Sequence, residues 1–589
     1  MVRYTLSERI TSDVRAVPYR RQTGDPVHRP LRVYTQDPDV SIFDAPVTVA
    51  QVPWEPLTPG PCGALFVVRD HDETLGKTHL PVDLDSAEVL RGQGLSPSTS
   101  DPRFAQQMTY ALSMLTFERF SQALGRVPEF EKTPDLRGRL TIRPHFAKED
   151  NAFYDSDSGR LDFGYVVATS DAGRRMQKGA IVYTALSHDV VIHETTHALL
   201  DGMRPLLLLP SNPDVAAFHE GFADLVAMLM RFRHRALVER AMQDSATGLT
   251  SNLLTEVMRQ WGRSEGTGRK ALRHVLLEEG DSDAPVQRKH RYNPRAEAHE
   301  LGAVLVAAVF EAMNRIFQRR TSHLRRLARV EHAPESSIIA LLASEAQKVA
   351  SDFLNILIRA IDYCPPMDLT FGEFLRAVIT ADYVTVPDDP LGYREALVYA
   401  FRRYGIRVNG VADLTEESLR WFSPEISLPP IPGLAFDELV HKFEPGWPVS
   451  TEERTRRAKA LGDYITQAGM YRYFGIIEPT TRNRAEPPEI QSVRTMRRLT
   501  PDRELDFHVV AEVTQRRKTA RGGWFYGGST VILDETGIVR YAIGKGIMNV
   551  RRERATAAFL AKAPAAYRRA VGAREVGRTE LLKVWHRGR

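Results

Sequence analysis

Two histidines four residues apart in a helical pattern constrain this chain more than any other feature of its sequence. They belong to the pentapeptide HETTH at residues 193–197, which has apolar residues on both sides and is followed by the helix-stopping Gly202. Positions i and i+4 share one face of an α-helix, so His193 and His197 can reach one metal ion with Glu194 beside it. The pattern also fits a helix with two hydrogen-bonded core histidines.

A second helical segment supplies a candidate third ligand. Glu220 and Asp224 lie one turn apart among apolar residues, after Asn212 and Pro213, which form a good N-cap and first-turn pair. A catalytic zinc site takes three protein ligands and keeps one position open. We predict that Glu220 completes a Zn2+ site and that Asp224 accepts the second ring N–H of one histidine. A solvated acidic face is the alternative, but buried carboxylates need a partner or a metal.

Composition and charge are typical of a soluble protein. The 589 residues are 43% apolar and 26% charged, with a net charge of +5, and no apolar run of the secretory type follows the N-terminus. Cys62 and Cys364 cannot form a disulfide framework. We therefore expect a cytoplasmic protein with no membrane partner. The basic tail from Arg551 lacks an aromatic stacking platform, so we expect a solvated surface there and not nucleic-acid binding.

The order HExxH then ExxxD resembles the signature of the gluzincin zinc metallopeptidases, and in particular it is similar to thermolysin-like enzymes. The resemblance covers roughly residues 60–406. It implies that His193, His197 and Glu220 hold Zn2+ and that Glu194 is the general base that takes a proton from water. It also implies a cytosolic variant, because neither a signal nor a long propeptide precedes the resembling segment.

Two further segments resemble substrate-binding parts of the same family. The segment NAFY at 151–154 is similar to the edge strand on which these enzymes bind an extended peptide. The resemblance implies that the Asn151 side chain and the Ala152 backbone bind the substrate, although Asn151 also fits a turn. The tripeptide ALR at 271–273 resembles the segment whose arginine holds a substrate carbonyl, although Arg273 also fits an exposed surface position.

The tripeptide EAH at 297–299 precedes the apolar run Leu301–Phe310 and resembles the acid–x–His element of the family. The resemblance implies that His299 stabilises the oxyanion and that Glu297 orients it. A helix N-terminal cap is the alternative role for His299. The chain departs from secreted relatives in two places, since the loop 202–214 lacks their assisting tyrosine and the basic segment after Asp224 lacks their calcium-binding carboxylates.

The pattern of strands and helices predicts an α+β fold, with a thermolysin-like core whose zinc site lies between a β-rich and a helical lobe. Strand-like runs with Asp534–Gly537 as a hairpin turn predict a small β-unit near the C-terminus. The predicted domains are 1–185, a β-rich lobe with the edge strand; 186–410, a helical zinc-peptidase lobe; 411–490, a linker and helical region; and 491–589, a small α+β domain with a basic tail.

The resemblance implies a zinc-dependent intracellular endopeptidase acting on a peptide or protein. The GxMEN motif of gluzincin aminopeptidases is absent, which favours endopeptidase action. The alternative is a catalytically degenerate member of this fold that serves as a binding or regulatory module in a stress or defence pathway. The intact Glu194 argues against that alternative, because zinc binding alone does not require it.

Overall fold

The chain combines helices and strands in mixed order, which confirms the prediction of a mixed α+β protein. Within the described residues, no helix is both long and apolar enough to cross a lipid bilayer. The structure is a computed structural model and describes residues 2–38, 47–131, 133, 135, 137–168, 178–245, 248–257, 273–274, 286–287, 290–330, 334–424, 428–439, 449–499, 504–520, 523–572 and 581–582.

The strands form one sheet of five strands, one of four, and several two-stranded ribbons. In chain order they are β1 (Thr5–Leu6), β2 (His28–Tyr34), β3 (Val47–Pro53), β4 (Phe66–Val68), β5 (His71–Asp72), β6 (Lys77–Thr78), β7 (Leu140–Arg143), β8 (Ala152–Asp155), β9 (Arg160–Phe163), β10 (Tyr165–Val167), β11 (Ile181–Tyr183), β12 (Glu256–Val257), β13 (Arg273–His274), β14 (Glu489–Leu499), β15 (Leu505–Lys518), β16 (Trp524–Leu533) and β17 (Val539–Lys545).

The long α-helices lie mostly in the middle of the chain. In chain order the α-helices are α1 (Glu8–Thr11), α2 (Ala87–Arg91), α3 (Pro102–Leu124), α4 (His188–Met203), α5 (Pro213–Arg231), α6 (Arg235–Asp244), α7 (Asn252–Thr255), α8 (Ala298–Val330), α9 (Glu335–Ala360), α10 (Phe371–Thr385), α11 (Tyr393–Arg403), α12 (Glu416–Leu419), α13 (Thr451–Ile465), α14 (Val550–Lys562) and α15 (Ala565–Gly572).

The four-stranded sheet has the order β4-β7-β9-β8 and ends in an edge strand. β4, β7 and β9 are parallel, whereas β8 runs antiparallel to β9, with Ala152 opposite Phe163. Helix α3 packs next to this sheet and is buried along most of its length. It begins at the N-cap Asp101 and ends before Gly125, whose positive φ of 63° is the left-handed conformation that glycine adopts readily.

The five-stranded sheet has the order β1-β14-β15-β16-β17, so the first strand of the chain joins a sheet made from its last strands. The predicted hairpin is confirmed, because the Asp534 carboxylate accepts the backbone N–H groups of Thr536 and Ile538 in the turn between β16 and β17. Alternate residues of β15 enter two different cores: Val509 and Val513 face one cluster, and Val510 faces the other.

The described part of the region 186–410, which was predicted to be helical, is largely helical, from α4 to α11. The short pair β12 and β13 interrupts it, with Val257 opposite Arg273. The larger core joins these helices to α3 and the four-stranded sheet, and the smaller core lies between α13 and the five-stranded sheet. The domain boundaries given above stay predictions.

A buried ionic junction attaches the five-stranded sheet to the end of α4. Arg204, the residue after α4, pairs with Glu512 at 3.3 Å and donates to the Thr530 hydroxyl at 3.0 Å. Arg494 donates to the Met203 carbonyl at 3.3 Å and also pairs with Glu512, at 3.4 Å. Because arginine side chains compensate carbonyls at a helix C-terminus, this sheet fixes the end of α4.

Removal of the shared carboxylate should destabilise the protein strongly. In Glu512→Ala, the buried Arg204 and the partly buried Arg494 lose their common partner, which we expect to cost about 3–5 kcal/mol. The measurement is the urea unfolding midpoint. The control is Glu239→Ala, which removes a partly exposed partner of the exposed Arg235 and should cost less than about 1 kcal/mol. Equal midpoints for the two variants would contradict a stabilising junction.

Candidate metal centre

Helix α4 presents both predicted histidine ligands on one face. The Nε2 atoms of His193 and His197 lie 2.9 Å apart, and both side chains are buried. Between them, the hydroxyl groups of Thr195 and Thr196 donate to carbonyls four residues earlier at 2.7 Å, which satisfies them within the helix. The Thr195 hydroxyl also contacts that of Ser113 at 3.0 Å, so α3 supports α4 at this point.

Helix α5 adds the predicted carboxylate. It begins at Asn212, whose side chain accepts the Asp214 backbone N–H at 2.8 Å, and continues through the fully buried Glu220. Its Oε2 atom lies 3.3 Å from His193 Nε2, and its Oε1 atom lies 3.6 Å from His197 Nε2. The three side chains therefore offer ligand atoms within 4.8 Å of one another.

Two glycines allow α5 and α8 to cross in close contact. A Cβ atom on Gly221 would lie 2.8 Å from the Gly302 carbonyl oxygen, and one on Gly302 would lie 2.9 Å from the Ala217 carbonyl oxygen. Neither distance leaves room for a side chain without a shift of the backbone. Because His299 lies about one helical turn before Gly302, the crossing brings its ring next to Glu220.

The remaining ring nitrogens of the two histidines are held from α5. Asp224 lies beside His193 as predicted, with its Oδ1 atom 2.9 Å from Nδ1. His219 was not predicted. Its Nδ1 atom lies 2.7 Å from His197 Nδ1 and the two rings stack at 4.8 Å. Such outer partners fix the tautomer and the orientation of a ligand ring, and the only sequence signal for His219 is its place directly before Glu220.

Glu194 connects the group of candidate ligands, His193, His197 and Glu220, to the edge strand β8. Its Oε2 atom accepts the backbone N–H of Tyr154 in β8 at 3.0 Å, and the side chain is buried. Further along α4, Asp201 accepts the Tyr154 hydroxyl at 3.1 Å. The edge of β8 that does not pair with β9 therefore faces α4, with the Glu194 carboxylate between the strand and the two histidines.

His299 lies next to the candidate ligand Glu220, as the sequence predicted. Its Nε2 atom is 3.0 Å from Glu220, and its Nδ1 atom is 3.0 Å from Glu297. Glu297 also accepts the His299 backbone N–H at 2.8 Å, so Glu297, and not the His299 side chain, caps this turn of α8. Burial would raise the pKa of Glu297, but the hydrogen bonds from His299 outweigh burial and lower it.

The predicted substrate-binding residues have different environments. Asn151 directly precedes β8 and is only 2% exposed, and neither polar atom of its side chain has a hydrogen-bond partner among the described residues. Ala152 begins β8 and is buried. Arg273 contributes its backbone to β13, but its side chain lies outside the described part of the structure. The substrate-binding roles of all three stay predictions.

The basic segment after Asp224 neutralises a carboxylate near the start of α4. Arg231 donates its Nε to Asp189 at 2.7 Å, and both side chains are buried. Burial would raise the pKa of Asp189, but the guanidinium of Arg231 outweighs it and lowers the pKa well below its usual value. The charge of Asp189 is thus compensated within the protein.

The arrangement of the donor atoms fits a bound transition metal. Two imidazole nitrogens and a carboxylate converge, and a polar side chain, Asp224 or His219, lies against the far nitrogen of each ring. Such a set suits zinc better than calcium or magnesium, which prefer oxygen ligands. Comparison with protein-family models found no match, and comparison with curated proteins found none either. The resemblance to gluzincins therefore depends on the motifs alone.

Metal binding at this centre should depend on His219 as well as on the ligands. His193→Ala and Glu220→Ala should each lose the ion bound here. His219→Ala should bind it about 10–100-fold more weakly, because His197 loses its orienting partner, whereas His219→Asn retains an acceptor for the His197 N–H. Chelator competition measures these affinities, with the exposed His28→Ala as control. Unchanged affinity in His219→Ala would mean that His219 does not position His197.

Proposed function

We propose that the protein is a zinc-dependent endopeptidase with a thermolysin-like core. The observation that carries the proposal is the position of Glu194, which is next to His193 in sequence and accepts a hydrogen bond from the Tyr154 backbone in β8. A potential general base thus lies between the candidate metal ligands and the edge strand of the four-stranded sheet. The β-rich part containing β8 and the helical part containing α5 and α8 would be the two lobes.

Zn2+ would be held by His193, His197 and Glu220, and when bound it would lower the pKa of water and polarise a carbonyl group. The residues present fit this ion, as their donor set is that of catalytic zinc sites. Asp224 and His219 keep the rings in the tautomer that leaves Nε2 free to bind the metal.

Glu194 would move the protons of the reaction. Its carboxylate would accept a proton from the attacking water and give it to the leaving amine. The hydrogen bond from Tyr154 N to Glu194 Oε2 orients this carboxylate. A degenerate binding module would have no need of a carboxylate in this position, which favours an enzyme over that alternative.

The edge of β8 would bind the substrate as an added strand. Strand addition uses main-chain hydrogen bonds, so it binds extended peptides with little dependence on their sequence. Asn151 supports this proposal, since a buried amide that has no partner among the described residues can be satisfied by a peptide backbone. A peptide or protein that passes along the strand past Glu194 would be cut within its length.

His299 would donate a hydrogen bond to the oxyanion. Glu297 holds its Nδ1 atom and directs Nε2 toward the metal group. The side chain of His299 is 12% exposed, whereas that of Glu220 is fully buried, so His299 lies on the side of the group that solvent or substrate can reach. A donor that meets charge only in the transition state accelerates the reaction without tightening substrate binding.

Glu194→Gln should retain zinc and lose peptide hydrolysis. The amide has nearly the same shape but cannot take a proton from water. Cleavage of an internally quenched peptide with blocked termini is the measurement, since only an endopeptidase cuts it. Glu300→Gln, an exposed glutamate next to His299, is the matched control and should cleave normally. Near-normal turnover in Glu194→Gln would rule out the general-base role.

His299→Ala should lower kcat and kcat/KM together by about 10²–10³-fold, because one oxyanion donor is worth about 2.7–4 kcal/mol. KM should change little and the metal should stay bound, as His299 is not one of the three ligands. His323→Ala, an exposed histidine on the same helix, serves as control. An unchanged kcat with a lower melting temperature would assign His299 a structural role only.

A further inference from the structure

A second group of two histidines and a carboxylate lies outside the centre described above. Asp70, His79 and His145 each offer one ligand atom, and these atoms lie within 4.8 Å of one another. All three residues belong to the region of the four-stranded sheet and the adjacent hairpin. None of them has a role in the peptide hydrolysis proposed above.

The topology of the sheet brings the three residues together. Asp70 and His145 each lie two residues after the end of a parallel strand, β4 and β7, and carboxyl ends of parallel strands meet at one edge of a sheet. Asp70 and His79 flank the hairpin of β5 and β6, where His71 pairs with Thr78, and the His79 backbone N–H donates to the Asp70 carbonyl at 3.0 Å. His71 is thus on the opposite face of this hairpin.

A buried glutamine fixes the carboxylate of Asp70. Gln106 of α3 is fully buried, and its amide oxygen accepts the Val82 backbone N–H at 2.9 Å. Its amide nitrogen must then point the other way, where it donates to Asp70 Oδ2 at 2.9 Å. The second oxygen, Oδ1, lies 2.9 Å from His145 Nδ1. Asp70 and His145 are both more than nine-tenths buried.

The charge of Asp70 is not compensated by a basic side chain. Among the described residues, no lysine or arginine forms an ion pair with it, and Arg143, two residues before His145, pairs with Asp162 and Glu73 instead. Burial of a carboxylate is costly unless a cation or hydrogen bonds compensate it. The side-chain partners of Asp70 among the described residues are the Gln106 amide and the His145 ring.

His79 supplies a second imidazole ring and is partly open to solvent. Its ring centre lies 5.0 Å from that of His145, with the planes tilted by 60°. His79 is partly exposed, in contrast to Asp70 and His145. A group with two imidazoles, one fixed carboxylate and one side open to solvent has the ligands and the vacant positions that a divalent transition metal ion needs.

We propose that Asp70, His79 and His145 form a second metal site, which binds a divalent transition metal ion of the Zn2+ class independently of the first centre. Imidazole ligands disfavour calcium and magnesium. The ion would connect the ends of β4 and β7 to the hairpin and, through Gln106, to α3. Because such a site exists only in the folded chain, its ion stabilises the fold.

Elemental analysis of zinc-saturated, gel-filtered protein tests the proposal. We expect about two ions per wild-type chain, about one in His145→Ala, about one in His193→Ala, and none in the double variant, since removal of one ligand breaks a three-ligand site. His71→Ala is the matched control from the opposite face of the same hairpin and should keep both ions. Equal metal content in wild type and His145→Ala would overturn the second site.

A second measurement covers the case in which His145→Ala does not fold. In the His193→Ala background, added zinc should raise the melting temperature, and the further substitution of the partly exposed His79 by alanine should abolish this rise. No zinc-dependent rise in His193→Ala would overturn the proposal. The two sites are scored separately: loss of an ion in His145→Ala but not in His193→Ala would support the second site and contradict the first.

Discussion

A single fully buried carboxylate, that of Glu220, organises the centre of this protein. Its oxygens lie 3.0 Å from His299, 3.3 Å from His193 and 3.6 Å from His197, so side chains from α4, α5 and α8 meet at one point. A negative charge with no access to water needs positive or hydrogen-bonding partners. The three rings, the glycine contact of α5 and α8, and the outer partners Asp224 and His219 all follow from that requirement.

Different side chains of α4 contact different parts of the protein. One face carries His193 and His197, and the next residue in the turn, Glu194, reaches β8. The helix is fixed by α3 through Thr195 and by the five-stranded sheet at its C-terminal end through Arg204. A helix fixed on several sides holds its side chains in constant geometry, which the proposed metal binding and catalysis require.

Local patterns predicted what depends on local structure. The pairs His193/His197 and Glu220/Asp224 follow from helical spacing, and the β16–β17 hairpin follows from its turn residues. Contacts that depend on how separate elements pack were not predictable. His219 turns toward His197 because α4 and α5 pack together, and Asp70 meets His145 because β4 and β7 pair in parallel. The short strands β12 and β13 have too few residues to show a periodicity.

The pairing of β1 with β14 has a consequence for how the chain is made. Thr5 pairs with Glu489, so β1 stays without its partner after it leaves the ribosome until more than 480 further residues have been translated. Arg494, which lies on the same strand β14, reaches the end of α4 equally late. The helix that carries HETTH therefore gains this supporting contact only after β14 has been translated, which delays a rigid site in the nascent chain.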